Sequence, residues 1–153
     1  MSRKTLRLAI DSRLDEVRRV RKAVSRMADD APFTTEEWQQ VKTCFDEALN
    51  NAIIHAYDSE PGHEVEVEAR LEQDRVVCII ADRGRPAPEE ARRKPRLDVS
   101  AEEVEDLPEG GMGLYIMCEV MDRIGYESKG GRNVLTMIKF ASQQNVASCK
   151  EKN

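Results

Sequence analysis

Apolar positions along this chain keep two rhythms, and the stretches where neither holds mark its chemistry. Residues 5–10, TLRLAI, alternate with Leu6, Leu8 and Ile10 on one side, the period-two pattern of a strand with one covered face. The period then becomes helical through Leu14, Val17, Val20, Val24 and Met27, with Ser12 placed to cap and arginines and Lys22 forming a solvated face. DDAPFTT interrupts that helix, and Thr34 or Thr35 ahead of Glu36 and Glu37 predicts the start of a second. This one runs through Trp38, Val41 and Phe45 to about Tyr57, where DSEPGH turns the chain. HEVEVEARLE alternates strictly through Val65, Val67, Ala69 and Leu71, whereas RVVCIIAD is continuously apolar, as for a strand covered on both faces. A hairpin at Gln73 and Asp74 joins these two strands.

From Arg83 to Glu109 the rhythm is lost. This stretch is rich in proline and holds a basic cluster (Arg92, Arg93, Lys94, Arg96) and an acidic one (Glu102, Glu103, Glu105, Asp106). So long a run without periodicity is read as a lid, a binding loop or a disordered segment. GGMGLYIMCEVMDRIG then opens on glycines and continues as a helix with Leu114, Met117, Val120, Met121 and Ile124 apolar. GYESKG and RNVLTMIKF read as a closing hairpin, and the tail beyond Ala141 is polar. The order of elements is that of an α+β domain: a mixed, mostly antiparallel sheet with helices on one face. The expected organisation is one domain over residues 1–141 with a lid at about 83–109, followed by a flexible tail at 142–153.

Composition narrows the function classes. A chain of 153 residues can bury a core without disulfides or metal, and a net charge of -5 with 35% charged residues argues against a general nucleic-acid surface. No apolar run approaches the roughly 18 residues of a membrane span, and the N-terminus has a strand pattern in place of a signal peptide. Cys44, Cys78, Cys118 and Cys149 are widely spaced with no C-x-x-C, which fits reduced thiols in a cytoplasmic protein and leaves zinc poorly supported.

Three motifs carry candidate chemistry. Glu47, Asn51 and His55 lie four apart in DEALNNAIIHAY, a polar stripe on an otherwise apolar helix. In ADRG a buried strand ends on Asp82, two residues before Gly84. In EGGMGL, Gly110, Gly111, Met112 and Gly113 run straight into a helix. Taken singly, each has a plain structural alternative: a satisfied hydrogen-bond network, a tight turn, a close connection. Together they compose a nucleotide site. The glycine loop leaves N–H groups open at a helix N-terminus, where phosphates bind, although it is neither a Walker A loop nor a dinucleotide fingerprint. Asp82 can accept from an exocyclic amine such as adenine's, and Gly84 lets a base approach the backbone. Asn51 supplies a neutral oxygen of the kind that suits Mg²⁺ already holding phosphate and water.

These motifs, in this order, resemble the ATPase fold shared by gyrase, histidine kinases and MutL, called the Bergerat or GHKL fold. Within it the chain is similar to the bacterial anti-sigma factor serine/threonine kinases: E-A-x-x-N-A-x-x-H-A-Y resembles their N box, IADRG their first G box and EGGMGLYIMCEVMD their second. The resemblance implies a two-layer sandwich with an ATP lid. It also implies Mg²⁺ on Asn51, adenine on Asp82 with Gly84 beside it, and phosphates framed by Gly110, Gly111, Met112 and Gly113. Thr136 would assist adenine binding and His55 would lie along the nucleotide. Glu47 can act as the base for an incoming hydroxyl or order a water in the magnesium shell; the family resemblance favours the base. Two departures stand out: Arg85-Pro86-Ala87-Pro88 follows the first G box, and Glu109 stands where some relatives have an arginine. The implied function is an ATP-dependent protein kinase of a partner-switching circuit, phosphorylating a STAS-type anti-anti-sigma protein and sequestering a sigma factor. Homodimers are common in such families. The competing expectations are a nucleotide-dependent sequestering module without kinase activity and a same-fold regulator of another target.

Overall fold

A computed structural model of the chain describes residues 4–88 and 111–142. Strand β1 (Lys4–Asp11) leads through a 3-10 turn to helix α1 (Val17–Ser25), and helix α2 (Thr35–Asn51) continues directly into a π turn (Ala52–Ala56). Strands β2 (Glu64–Leu71) and β3 (Arg75–Asp82) follow, then helix α3 (Gly111–Val120) and the hairpin β4 (Arg123–Lys129) and β5 (Arg132–Phe140). The sheet order is β1-β2-β3-β5-β4. Among the described residues all four pairings are antiparallel, where a mixed sheet was expected. The chain leaves β3, passes α3 and returns as a hairpin whose second strand docks on β3, so β4 lies at the edge of the described sheet, paired with β5.

Register decides which side chains share a face. Leu8, Val67, Ile80, Leu135 and Tyr126 form one row across all five strands, each paired with the next. Two residues along, Asp82, Asn133 and Ser128 form a second row on that face. The apolar part of this face packs against the helices. On α2 the fully buried Phe45 and Leu49, with Ile53 in the π turn, point into the core at four-residue spacing. Burial of each such side chain contributes about 1.5–3 kcal/mol. Trp38 ties α1 to α2 by donating from Nε1 to the Val24 carbonyl at 3.0 Å, and Arg21 of α1 pairs with Asp46 of α2.

Helix ends follow local chemistry. Thr34 caps α2 as expected: its Oγ1 accepts from Glu37 N at 3.1 Å while Glu37 Oε1 accepts from Thr34 N at 2.9 Å. Ser12 does not cap α1. Its hydroxyl is buried, donating to Glu60 O at 2.6 Å and accepting from His63 N at 3.1 Å, and so pins the turn after the π segment. Leu14 lies in the 3-10 turn outside the apolar stripe and is 51% exposed. Helix α3 stops at Val120, whose carbonyl accepts from Lys139 Nζ at 3.1 Å, so Ile124 belongs to β4 and not to the helix. Cys44 and Cys78 are buried, and Cys118 is partly buried. Among the described residues no helix is long and apolar enough to cross a membrane.

Candidate functional site

Three elements converge on one side of the sheet: the C-terminal half of α2, the end of β3 and the start of α3. Glu47 and Asn51 lie one turn apart on α2, half-buried, beside the apolar face that holds the helix down. Neither side chain has a hydrogen bond or ion pair among the described residues, so both are available to a ligand. The helix then widens. Tyr57 N bonds to Ala52 O at 3.2 Å, a five-residue step, and this π winding turns each residue through a smaller angle than an α-helix does. His55, within this turn, is exposed where Glu47 and Asn51 are half-buried, and its carbonyl accepts from Arg85 Nη2 at 3.3 Å.

The π turn also fastens the first glycine motif. Arg85 N donates to Ala56 O at 2.8 Å, Arg83 N donates to the Tyr57 hydroxyl at 2.7 Å, and Tyr57 donates to Glu64 O at 2.8 Å. Gly84 is needed for this approach: a Cβ there would lie 2.4 Å from Ala56 O. Its missing side chain faces the end of the N-box helix. These contacts fix Asp82 relative to Asn51.

Asp82 is partly buried, and its Oδ1 accepts from Asn133 Nδ2 at 2.7 Å and from Gly84 N at 3.0 Å. Burial pushes its carboxyl above the ordinary value, while the hydrogen bonds from Asn133 and Gly84 pull it back. No hydrogen bond reaches Oδ2 among the described residues, which leaves one carboxylate oxygen to accept from a ligand. Asn133 is 2% exposed and fully engaged: Nδ2 also donates to Gly84 O at 2.9 Å, and Oδ1 accepts from Ser128 Oγ at 2.6 Å. This supporting row of Asn133 and Ser128 was not among the sequence candidates. Its signal lay in β5, where Asn133 keeps the same alternation as Leu135 and Met137 and so is a polar residue on the core side.

Thr136 is not brought to this site. It pairs with Ile79 and Gly125, three residues from the Asp82–Asn133–Ser128 row, and an odd offset in a strand puts a side chain on the opposite face. Of the second glycine motif, Gly111, Met112 and Gly113 form the first turn of α3; Gly110 and residues 89–109 of the expected lid, including the basic cluster, lie outside the described residues. Gly113 is buried against Glu47, and a Cβ there would lie 2.6 Å from Glu47 Oε2. A depression of about 200 Å³ lined by Glu64, Glu66, Ala81, Asp82, Arg83 and Arg132 lies at the same end of the sheet. Glu66 and Ala81 place it mainly on the other face, away from Glu47 and Asn51.

An antiparallel sheet with helices against one face, an N-box helix and two glycine motifs at one end define an ATPase domain of the histidine kinase type. Residues 10–139 match the family model described as Histidine kinase-like ATPase domain, and the chain belongs to that family. Within it, the chain is similar to Serine-protein kinase RsbW of Bacillus pumilus (strain SAFR-032), 30% identical over 144 residues, which are 92% of this chain and 88% of that protein. It is also similar to Anti-sigma F factor of Geobacillus stearothermophilus, 32% identical over 117 residues, 76% of this chain and 77% of that one. Among solved structures, the mycobacterial sensor histidine kinase MprB aligns with a TM-score of 0.49 at 19% identity, covering 87% of this chain and 97% of that chain.

Proposed function

We propose that this chain is an ATP-dependent protein serine/threonine kinase that switches a partner protein between bound and released states. The observation that carries the reading is the row of Glu47 and Asn51 on α2, unbonded among the described residues and with Glu47 against Gly113 in the first turn of α3, together with the unbonded Oδ2 of Asp82 at the end of β3. Asp82 accepts a hydrogen bond from the adenine amine, with Asn133 holding its other oxygen. The N-terminus of α3, at Gly111, Met112 and Gly113, receives the phosphates, together with Gly110. Asn51 offers a neutral amide oxygen with no competing partner, which fits Mg²⁺. Phosphate and water would complete the shell of such an ion. When bound, Mg²⁺ would be held by Asn51 and would supply charge neutralisation to the phosphates. Glu47 takes the proton of the acceptor hydroxyl as that oxygen bonds to the γ-phosphorus. The bond from phosphorus to the β–γ bridging oxygen breaks, and ADP leaves with its electron pair.

The similarity to Serine-protein kinase RsbW and Anti-sigma F factor supports a STAS-domain anti-anti-sigma protein as the acceptor and a sigma factor as the sequestered partner in the cytoplasm. A homodimer is supported by β1, which among the described residues is an edge strand paired on one side; light scattering showing a monomer at micromolar concentration would remove it. The kinase is tested by incubating the protein with ATP, Mg²⁺ and purified STAS-domain proteins of the same genome, read by intact mass. The expected result is a gain of one phosphate on one of them, lost in Glu47→Ala. Tight nucleotide-dependent binding with no mass gain would establish a sequestering module in place of a kinase.

A further inference from the structure

The two site glycines of known surroundings are excluded from having side chains by different kinds of neighbour. At Gly84 the atoms that an added Cβ would meet are Ala56 O, C and Cβ, at 2.4, 2.6 and 2.9 Å, and backbone cannot step aside. At Gly113 they are Oε2, Cβ and Cδ of Glu47, at 2.6, 3.4 and 3.5 Å. The space beside Gly113 is thus filled by one flexible side chain, whose carboxylate lies against the first turn of α3. Backbone conformation does not demand glycine here, because Gly113 is helical and has no positive φ.

We propose that Gly113 is a positioning residue for phosphoryl transfer: it keeps open the space in which the Glu47 carboxylate rests. The inference depends on the kinase reading and deepens it, since it makes Gly113 act on the proton acceptor as distinct from the phosphates. In Gly113→Ala, Oε2 must retreat by about 0.8 Å to restore the ordinary contact of 3.4 Å. A misplacement near 1 Å at a reacting group lowers a rate by up to about 100-fold. The fold is not what suffers, because alanine is the better helix former.

The test compares Gly113→Ala, Glu47→Asp and the double variant for transfer from ATP–Mg²⁺ to purified STAS-domain proteins of the same genome. Gly113→Ala is expected to lower kcat about 10- to 100-fold while KM for ATP stays within about threefold. Aspartate lacks the Oε2 that would lie 2.6 Å from the added Cβ and keeps the Glu47 Cβ at an ordinary 3.4 Å, so in the Glu47→Asp background the same substitution should lower kcat by no more than about twofold. An unchanged kcat, an effect confined to KM, or an equal loss in both backgrounds would overturn the proposal. Carboxyl-detected NMR of the nucleotide-free protein supplies a readout that needs no acceptor. The Glu47 carboxyl resonance should move in Gly113→Ala with no fall in thermal midpoint, and an unmoved resonance refutes the contact itself. A resonance that moves in a protein whose wild type transfers no phosphate to any acceptor overturns the kinase reading and with it the catalytic role of Gly113.

Discussion

Asp82→Asn isolates charge from shape at the proposed adenine site. Oδ1 of Asp82 accepts from Asn133 Nδ2 at 2.7 Å and from Gly84 N at 3.0 Å, and an amide oxygen can take over both bonds. What changes is the free position, where an accepting carboxylate oxygen becomes a donating NH₂ group. Opposite the adenine amine, two donors then face each other. A hydrogen bond to a charged acceptor contributes about 1.5–3 kcal/mol, and with about 1.4 kcal/mol per tenfold, ATP affinity should fall roughly 10- to 100-fold. Inosine triphosphate carries a carbonyl in place of the amine, so it reports the same contact with inverted polarity. Wild type should prefer ATP to ITP, and Asp82→Asn should narrow or reverse that preference in calorimetric titrations. A variant that binds ATP within about threefold of wild type, or a wild type indifferent to the exchange, would refute the assignment.

The same substitution has a second, opposite signature. Burial raises the Asp82 carboxyl above its ordinary 3.8 in the folded protein, against the pull of Asn133 and Gly84. A folded-state value above the unfolded one means that the native protein binds this proton more tightly. The stability so contributed is fully present below the unfolded value and is lost as pH rises through the folded one. At neutral pH the charged Asp82 therefore works against folding, and Asp82→Asn should have a higher urea midpoint than wild type at pH 7. Its advantage should shrink as the pH falls into the carboxylate range. Higher stability together with weaker ATP binding is what a residue retained for its ligand produces.

Gly84→Ala should behave unlike Gly113→Ala. A methyl group 2.4 Å from the Ala56 carbonyl oxygen forces backbone apart, so a loss of about 1–3 kcal/mol is expected in urea denaturation, with ATP affinity falling as Asp82 shifts. Thr136→Val should leave ATP affinity within about twofold, because position 136 shares a face with Ile79 and not with Asp82; a tenfold loss would show that the register is wrong. Glu47→Gln should bind ATP as wild type does while phosphate transfer falls by at least about 100-fold, measured as initial rates with the same acceptor.

The elements were legible in the sequence because each rests on local periodicity: the alternation in β2, the helical spacing of Trp38, Val41 and Phe45, and the Thr34–Glu37 cap all read directly as structure. The motifs likewise put Glu47 and Asn51 on the helix layer and Asp82 at a strand end of the sheet beneath it. Two features of the site depend on quantities that local pattern does not carry. One is winding: nothing in AIIHA distinguishes a π turn from an α turn, and the carbonyl of Ala56 at its end is captured by Arg85 N at 2.8 Å, a contact distant in sequence. The other is parity. Thr136 and Asn133 are both polar residues of one strand, and only the anchoring of Met137 in the core decides which of them stands beside Asp82. Because a single-residue shift would exchange the two faces, the buried Asn133 and its bonds to Asp82, Gly84 and Ser128 pin β5 in register as firmly as the apolar row does. The hydrogen-bond row that holds Asp82 Oδ1 therefore also fixes the face on which the proposed adenine site lies.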